Sequence, residues 1–175
     1  MNWVWPAQDA LVTSMHAYHP DYGGGTTILD GHSGPVSGAG DNNGAAGSYH
    51  SAIGYGVTAA DDYIDFIFTF ANTNTWVSGY RQSMNPAHEE MMTKDIEVYT
   101  STDSATWTLV ATDSHTPEQL RVDPVQYFTA TGTTTEWVPT EPTKYLRIRT
   151  LTNHGDTLYG GRILIQYLQV KIATD

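Results

Sequence analysis

The chain has 175 residues, with 8 Lys and Arg against 19 Asp and Glu, which gives a formal charge of −11 at pH 7. Nucleic-acid affinity comes largely from Lys and Arg displacing condensed counterions, so this balance argues against DNA or RNA as a partner. With 39% apolar and 15% charged residues the chain reads as neither a coiled coil nor a disordered tail, and no run reaches the roughly 18 apolar residues of a membrane span.

Met1 leads into Asn2, Trp3, Val4 and Trp5 without a basic segment, so no secretion signal is expected. Cys is absent, which removes disulfides, thiolate zinc sites and Cys nucleophiles together. Residues 31–60, GHSGPVSGAGDNNGAAGSYHSAIGYGVTAA, are rich in Gly, Ala and Ser and read as an irregular insertion. From 62 to 70 the run DYIDFIFTF alternates, placing Ile64, Phe66, Phe68 and Phe70 on a core face and Tyr63, Asp65, Ile67 and Thr69 on a wetter one. The stretch 74–93, NTWVSGYRQSMNPAHEEMMT, begins as a strand and ends in polar residues, with a short helical turn expected near 88–92.

Residues 94–100 aim Ile96 and Val98 inward, and Trp107, Leu109 and Ala111 repeat the pattern. Between them Ser101, Thr102, Asp103 and Ser104 supply local acceptors for a reversal, predicting a hairpin from 94–100 to 106–112. Further on, Leu146, Ile148 and Thr150 alternate with Tyr145, Arg147 and Arg149, and the last segment lines up Leu164, Gln166, Leu168, Val170 and Ile172. Short β-branched and aromatic strands at this spacing, without an amphipathic helix, predict an all-β antiparallel sandwich or jelly roll. No linker or repeat divides the chain, so 1–175 reads as one domain carrying the 31–60 insertion.

The unit KDIEVYTSTDSATWTLVAT at 94–112 resembles the discoidin and coagulation-factor type C domains, in which a strand, a Ser/Asp turn and a Trp follow in this order. TTILDG at 26–31 is similar to the early Asp-Gly signature of that superfamily, TKYLRIRT at 143–150 to its penultimate strand, and RILIQYLQV at 162–170 to its closing strand. The resemblance implies a galactose-binding-like β-sandwich used as a non-catalytic recognition module for sugars, phospholipid head groups or proteins. It also implies a calcium site, carried over here to Asp30. The final strand has Gln166, Tyr167 and Gln169 where a carboxylate would complete that site, so the cation loses much of its charge complement and an Asp-Gly turn is the plainer reading.

The candidates for chemistry each have an ordinary reading beside them. His16, His19 and Asp21 have zinc-ligand types, but a strand sets positions three apart on opposite faces. Asp41, Asn42, Asn43 and Gly44 lack the spacing of a calcium loop and read as a polar turn. Asp61, Asp62 and Asp65 evoke a hydrolytic carboxylate pair but read more simply as solvating charges, and Glu89 and Glu90 as a wet surface. No nucleophile elbow or phosphate loop occurs, so the chain is read as no enzyme.

Binding has more behind it. Aromatic rings stack on sugar faces and planar polar groups fix hydroxyl orientation, and the chain has 5 Trp and 11 Tyr. Tyr22, Trp76, Tyr80, Arg81, Asn85, His88, Tyr159 and Arg162 are expected as ligand contacts on loops at one end of the sandwich, with Trp107 and Trp137 in the core. Trp3 and Trp5 make an unusually aromatic terminus and are expected at an assembly interface. The expectation is a recognition or adhesion module for cell-surface carbohydrate, mounted on a virion or other extracellular surface among protein partners. The alternative is a structural capsid-decoration, tail or fibre subunit.

Overall fold

The computed structural model of the chain describes residues 1–4, 12–18, 27–28, 63–83, 89–90, 92–120, 134–155 and 167–174. The 31–60 insertion and the Asp-Gly signature at Asp30 lie outside them. Among the described residues ten strands and one short helix follow in order: β1 Asn2–Val4, β2 Val12–Tyr18, β3 Thr27–Ile28, β4 Ile64–Phe70, β5 Thr75–Ser83, β6 Asp95–Ser101, β7 Thr108–Ser114, α1 Pro117–Leu120, β8 Thr134–Glu136, β9 Tyr145–Thr150 and β10 Tyr167–Thr174. They form a four-stranded sheet ordered β1-β10-β5-β8 and a six-stranded sheet ordered β3-β2-β4-β9-β6-β7. Every pairing is antiparallel, as expected from the alternation.

The core lies between the sheets. The six-stranded sheet contributes Phe66, Phe68, Phe70, Ile96, Val98, Leu146 and Ile148, and the four-stranded sheet contributes Val77, Tyr80, Val170 and Ile172. On β4, β6, β9 and β10 the inward residues come from every second position, which is why those strands were readable from apolar periodicity, whereas on β5 the inward Val77 and Tyr80 are three apart across a shift in the β5–β10 register. Trp137 packs against this core from the edge, as expected.

The β6–β7 hairpin forms one to two residues later than predicted, and its turn is held by the residues singled out for it. The Ser101 hydroxyl accepts from the Asp103 and Ser104 amides at 3.2 and 2.9 Å, and the Asp103 carboxylate accepts from Ala105 and Thr106 at 2.9 and 2.8 Å. These bonds hold Ser104 at a φ of 63°, in the left-handed region. Two inward assignments in this unit fail, Leu109, which is 49% exposed, and Trp107, which lies on the outer face. Tyr99 pairs with Leu109 and Val98 with Ala111, which leaves Val110 as an extra residue. This bulge turns Leu109 outward while Ala111 keeps its contact with the core.

Two helical turns appear among the described residues. Residues 89–90 form the expected one, closed by the Met92 amide donating to the Glu89 carbonyl at 3.1 Å. Helix α1 was not anticipated, although its start carries a capping box: the Thr116 amide donates to Gln119 Oε1 at 2.7 Å, and Pro117 occupies the first helical position.

Phe68 is fully buried between the sheets, whereas Val138 is 87% exposed. Phe68→Ala is expected to cost about 3–5 kcal/mol through lost burial and a residual cavity, and Val138→Ala to stay within about 0.5 kcal/mol. Urea unfolding of the two variants checks both values.

Candidate functional site

Strand β9 lies between β4 and β6, so its outward residues meet side chains from both neighbours. In register, Arg149 faces Asp65 on β4 and Glu97 on β6, while Arg147 faces Ile67 and Tyr99. Arg149 donates to Asp65 through Nε at 2.7 Å and Nη2 at 2.9 Å, a two-pronged ion pair. Asp65 is therefore not the solvating charge expected: it is buried, and its carboxylate is held by a guanidinium across the ladder.

Around this pair the aromatic rings and guanidinium groups interleave. The Arg149 guanidinium carbon lies 3.5 Å from the Tyr63 ring centre and 5.6 Å from that of Tyr99. The Arg147 carbon lies 4.1 Å from the Tyr99 ring and 4.4 Å from the Trp107 ring. Trp107 then meets Tyr145 edge to face, with ring centres 6.5 Å apart. The result is a continuous row, Tyr63, Arg149, Tyr99, Arg147, Trp107 and Tyr145, in which all six side chains are partly exposed. Trp107 is thus an outer-face residue rather than the expected core residue, pinned to the hairpin turn by its indole N–H donating to the Ser104 carbonyl at 3.1 Å. The Tyr99 hydroxyl donates to Glu97.

The two arginines differ in electrostatic setting. For Arg149, burial pulls the pKa down, but the hydrogen bonds and charge of Asp65 overcome it and the net shift is upward. For Arg147, burial dominates and the net shift is downward, with Asp65 only opposing it. Geometry explains the contrast, since Arg147 Nη1 stands 3.9 Å from Asp65 and its Nε is buried without an acceptor. Tyr99 is shifted upward by burial and by its bond to Glu97.

Three of the expected ligand residues fall within the described structure, and all three are in β5, inside a sheet rather than on a loop. Tyr80 points into the core with 0% exposure, so it is corrected from ligand contact to core residue. Its hydroxyl is hydrogen-bonded to His115 Nε2 at 3.0 Å, and His154 Nε2 donates to the His115 carbonyl at 2.9 Å. Burial, reinforced by the charge of Asp113, raises the Tyr80 pKa well above its ordinary value. Trp76 and Arg81 remain partly exposed.

Arg81 comes together with Trp3. Strand β1 pairs with β10 so that Trp3 sits opposite Lys171, and the Arg81 guanidinium carbon lies 4.5 Å from the Trp3 ring. Lys171 lies 5.7 Å from that ring and is ion-paired with Glu136 at 2.7 Å. Gly79 makes room for this arrangement: a Cβ there would stand 3.1 Å from the Thr135 carbonyl oxygen and 3.3 Å from the Trp3 ring. The ring of Trp3 is therefore engaged within its own chain. Tyr22, Asn85, His88, Tyr159, Arg162, Trp5 and Asp30 lie outside the described residues. Among the described residues no three His, Asp or Glu side chains gather as a metal site.

The row on the six-stranded sheet was not picked as a site from sequence, although the alternation had already placed Arg147, Arg149 and Tyr145 on one face of their strand. The missing information was which strands flank β9 and in what register.

No protein-family model matches the chain, and no curated protein sequence matches it. Solved structures do. A Clostridium perfringens chain comprising two family 32 carbohydrate-binding modules (CBM32-1 and CBM32-2) and an M60 catalytic domain is similar over 96% of this chain, with a TM-score of 0.51 at 13% identity. The match spans 15% of that longer chain. CBM32-3 of a family 31 glycoside hydrolase from the same organism is 19% identical, covering 69% of this chain and 72% of its own, at a TM-score of 0.47. A further C. perfringens module, CBM32-5, in complex with GalNAc-β-1,3-galactose, is 13% identical over 89% of this chain and 94% of its own, at 0.45. At these identities the likeness is one of fold, and it is the galactose-binding-like, discoidin-type β-sandwich that the sequence resemblance implied.

Burial lowers the pKa values of both His115 and His154. The unfolded chain takes up protons near pH ~6.5 while the folded chain holds both rings neutral to lower pH. The stabilising effect of His115 is therefore complete above about pH 6.5 and is lost as pH falls toward the folded-state value. Urea unfolding of the parent chain and His115→Gln at about pH 7.5 and about pH 5.5 is expected to show the gap between them narrowing at the lower pH.

Proposed function

We propose that the chain is a non-catalytic carbohydrate-recognition module whose ligand lies across the outer face of the six-stranded sheet. The observation that carries this reading is the partly exposed row from Tyr63 to Tyr145, in which rings alternate with guanidinium groups. Apolar sugar faces lie against aromatic rings, and planar donors orient the hydroxyl groups, so the row combines both requirements in one surface. The acids on this face are already engaged: Asp65 holds Arg149, and Glu97 accepts from Tyr99. That arrangement suits binding better than acid–base chemistry, which needs a carboxyl group available to exchange protons with a substrate. The fold it shares with a chain containing two carbohydrate-binding modules supports the same reading. Nothing in these comparisons speaks to a virion, and the proposal is confined to recognition.

Screening the purified chain on plant, algal and animal glycans, followed by calorimetry on the best ligand, tests this. Trp107→Ala is expected to weaken binding at least about tenfold, or about 1.4 kcal/mol. Trp76→Ala, in the other sheet, is expected to leave the affinity unchanged. An empty screen, or full affinity in Trp107→Ala, overturns the proposal.

A further inference from the structure

Arg147 differs from the other charged groups of this face. Asp65 spends both carboxylate oxygens on Arg149, at 2.7 and 2.9 Å, and stands 3.9 Å from Arg147, beyond hydrogen-bond distance. Glu97 accepts from the Tyr99 hydroxyl and faces Arg149, not Arg147, across the ladder. Among the described residues Arg147 therefore donates no hydrogen bond, although its side chain is only 13% exposed and its Nε is buried. Buried donors are nearly always paired, so a guanidinium whose buried Nε has no acceptor, and whose ion pair with Asp65 is as long as 3.9 Å, keeps hydrogen-bonding capacity for a ligand.

The rings beside Arg147 determine what kind of acceptor fits. Tyr99 and Trp107 lie 4.1 and 4.4 Å from the guanidinium carbon. A ring lying against the guanidinium restrains the group but satisfies none of its N–H donors. The fork is therefore oriented before any ligand arrives, which reduces the ordering cost of binding. A neutral hydroxyl meets one donor, whereas a carboxylate meets two parallel donors and neutralises the charge as well. The formal charge of −11 opposes an anion at long range, but in physiological salt that repulsion is screened beyond about 8 Å, and a contact pair in a partly desolvated site is screened much less.

We propose that this face recognises uronate-bearing, negatively charged glycans, with the Arg147 guanidinium taking the sugar carboxylate and Trp107 supporting the sugar ring. This inference rests on the carbohydrate-recognition reading, and the test separates the two. Affinities of the unmutated chain are measured for oligogalacturonate and oligomannuronate, for their carboxyl-reduced neutral counterparts, and for a sulfated galactan. The expected result is at least about tenfold tighter binding of one uronate oligomer than of its reduced form and of the sulfated chain. Arg147→Gln is expected to bring the uronate down to the affinity of the reduced form, and Arg147→Lys to restore part of the difference, with near-UV circular dichroism confirming that both variants fold. Equal binding of uronate and reduced forms by the unmutated chain overturns the anionic assignment and leaves carbohydrate recognition standing, and this arm does not depend on any variant. A preference that survives in a folded Arg147→Gln does the same. Tighter binding of the sulfated galactan replaces carboxylate by sulfate as the ligand group, and binding of no glycan at all overturns both readings.

Discussion

The two-residue pleat of β9 is the constraint on which the rest of the structure depends. Leu146 and Ile148 must face inward to join the sandwich core, so Tyr145, Arg147 and Arg149 must face outward. A slip of one residue would place two guanidinium groups among Phe66, Phe68 and Val98 and expose Leu146 and Ile148, at a cost in both charge burial and lost apolar contact. Core and outer face are therefore specified together by one strand. Because β9 lies between β4 and β6, the same register that closes the core also brings Asp65, Tyr63 and Tyr99 up to the arginines.

The outer face then follows from unequal sharing. One carboxylate faces two arginines: Asp65 makes a two-pronged hydrogen-bonded pair with Arg149 and only a long ion pair, at 3.9 Å, with Arg147. An exposed ion pair contributes about 0–1 kcal/mol, but removing one partner of a buried pair costs about 3–5 kcal/mol. The Asp65 side chain is 5% exposed and that of Arg149 19%, so the pair belongs nearer the buried case and holds its geometry. Arg147 is positioned instead by two aromatic faces, which orient the group while leaving its donors to a ligand. The four-stranded sheet uses a related device: Gly79 lets Trp3 lie close to the sheet beneath Arg81, and this ties the first strand to the body of the fold.

Legibility in the sequence differed from element to element. Strands β4, β6, β9 and β10 and the β6–β7 turn were readable because burial on one face writes itself as alternation, and because Ser101 and Asp103 are chemically suited to capping a reversal. The Thr116–Gln119 capping box was equally present and went unread, since a four-residue helix leaves no periodicity to draw attention to it. Leu109 was misassigned because a bulge has no period of its own, and only the pairing partner reveals the extra residue. Tyr80 looked like a loop aromatic because Gly79, Arg81 and Gln82 surround it. In the structure Gly79 serves close packing against Trp3 and Thr135, and Tyr80 turns inward to His115.

By itself the sequence determined an all-β antiparallel sandwich, the inward faces of its main strands, and a surface rich in aromatic and polar groups but poor in positive charge. Those properties follow from alternation and composition, which are local or additive. Only the tertiary structure decided that Arg147 and Arg149 both meet the carboxylate of Asp65, 82 and 84 positions earlier in the chain, and that Tyr63, Tyr99 and Trp107 come to lie beside them. Strand order and register are set by which apolar faces close on one another across long stretches of chain, and no short pattern in the sequence records that choice.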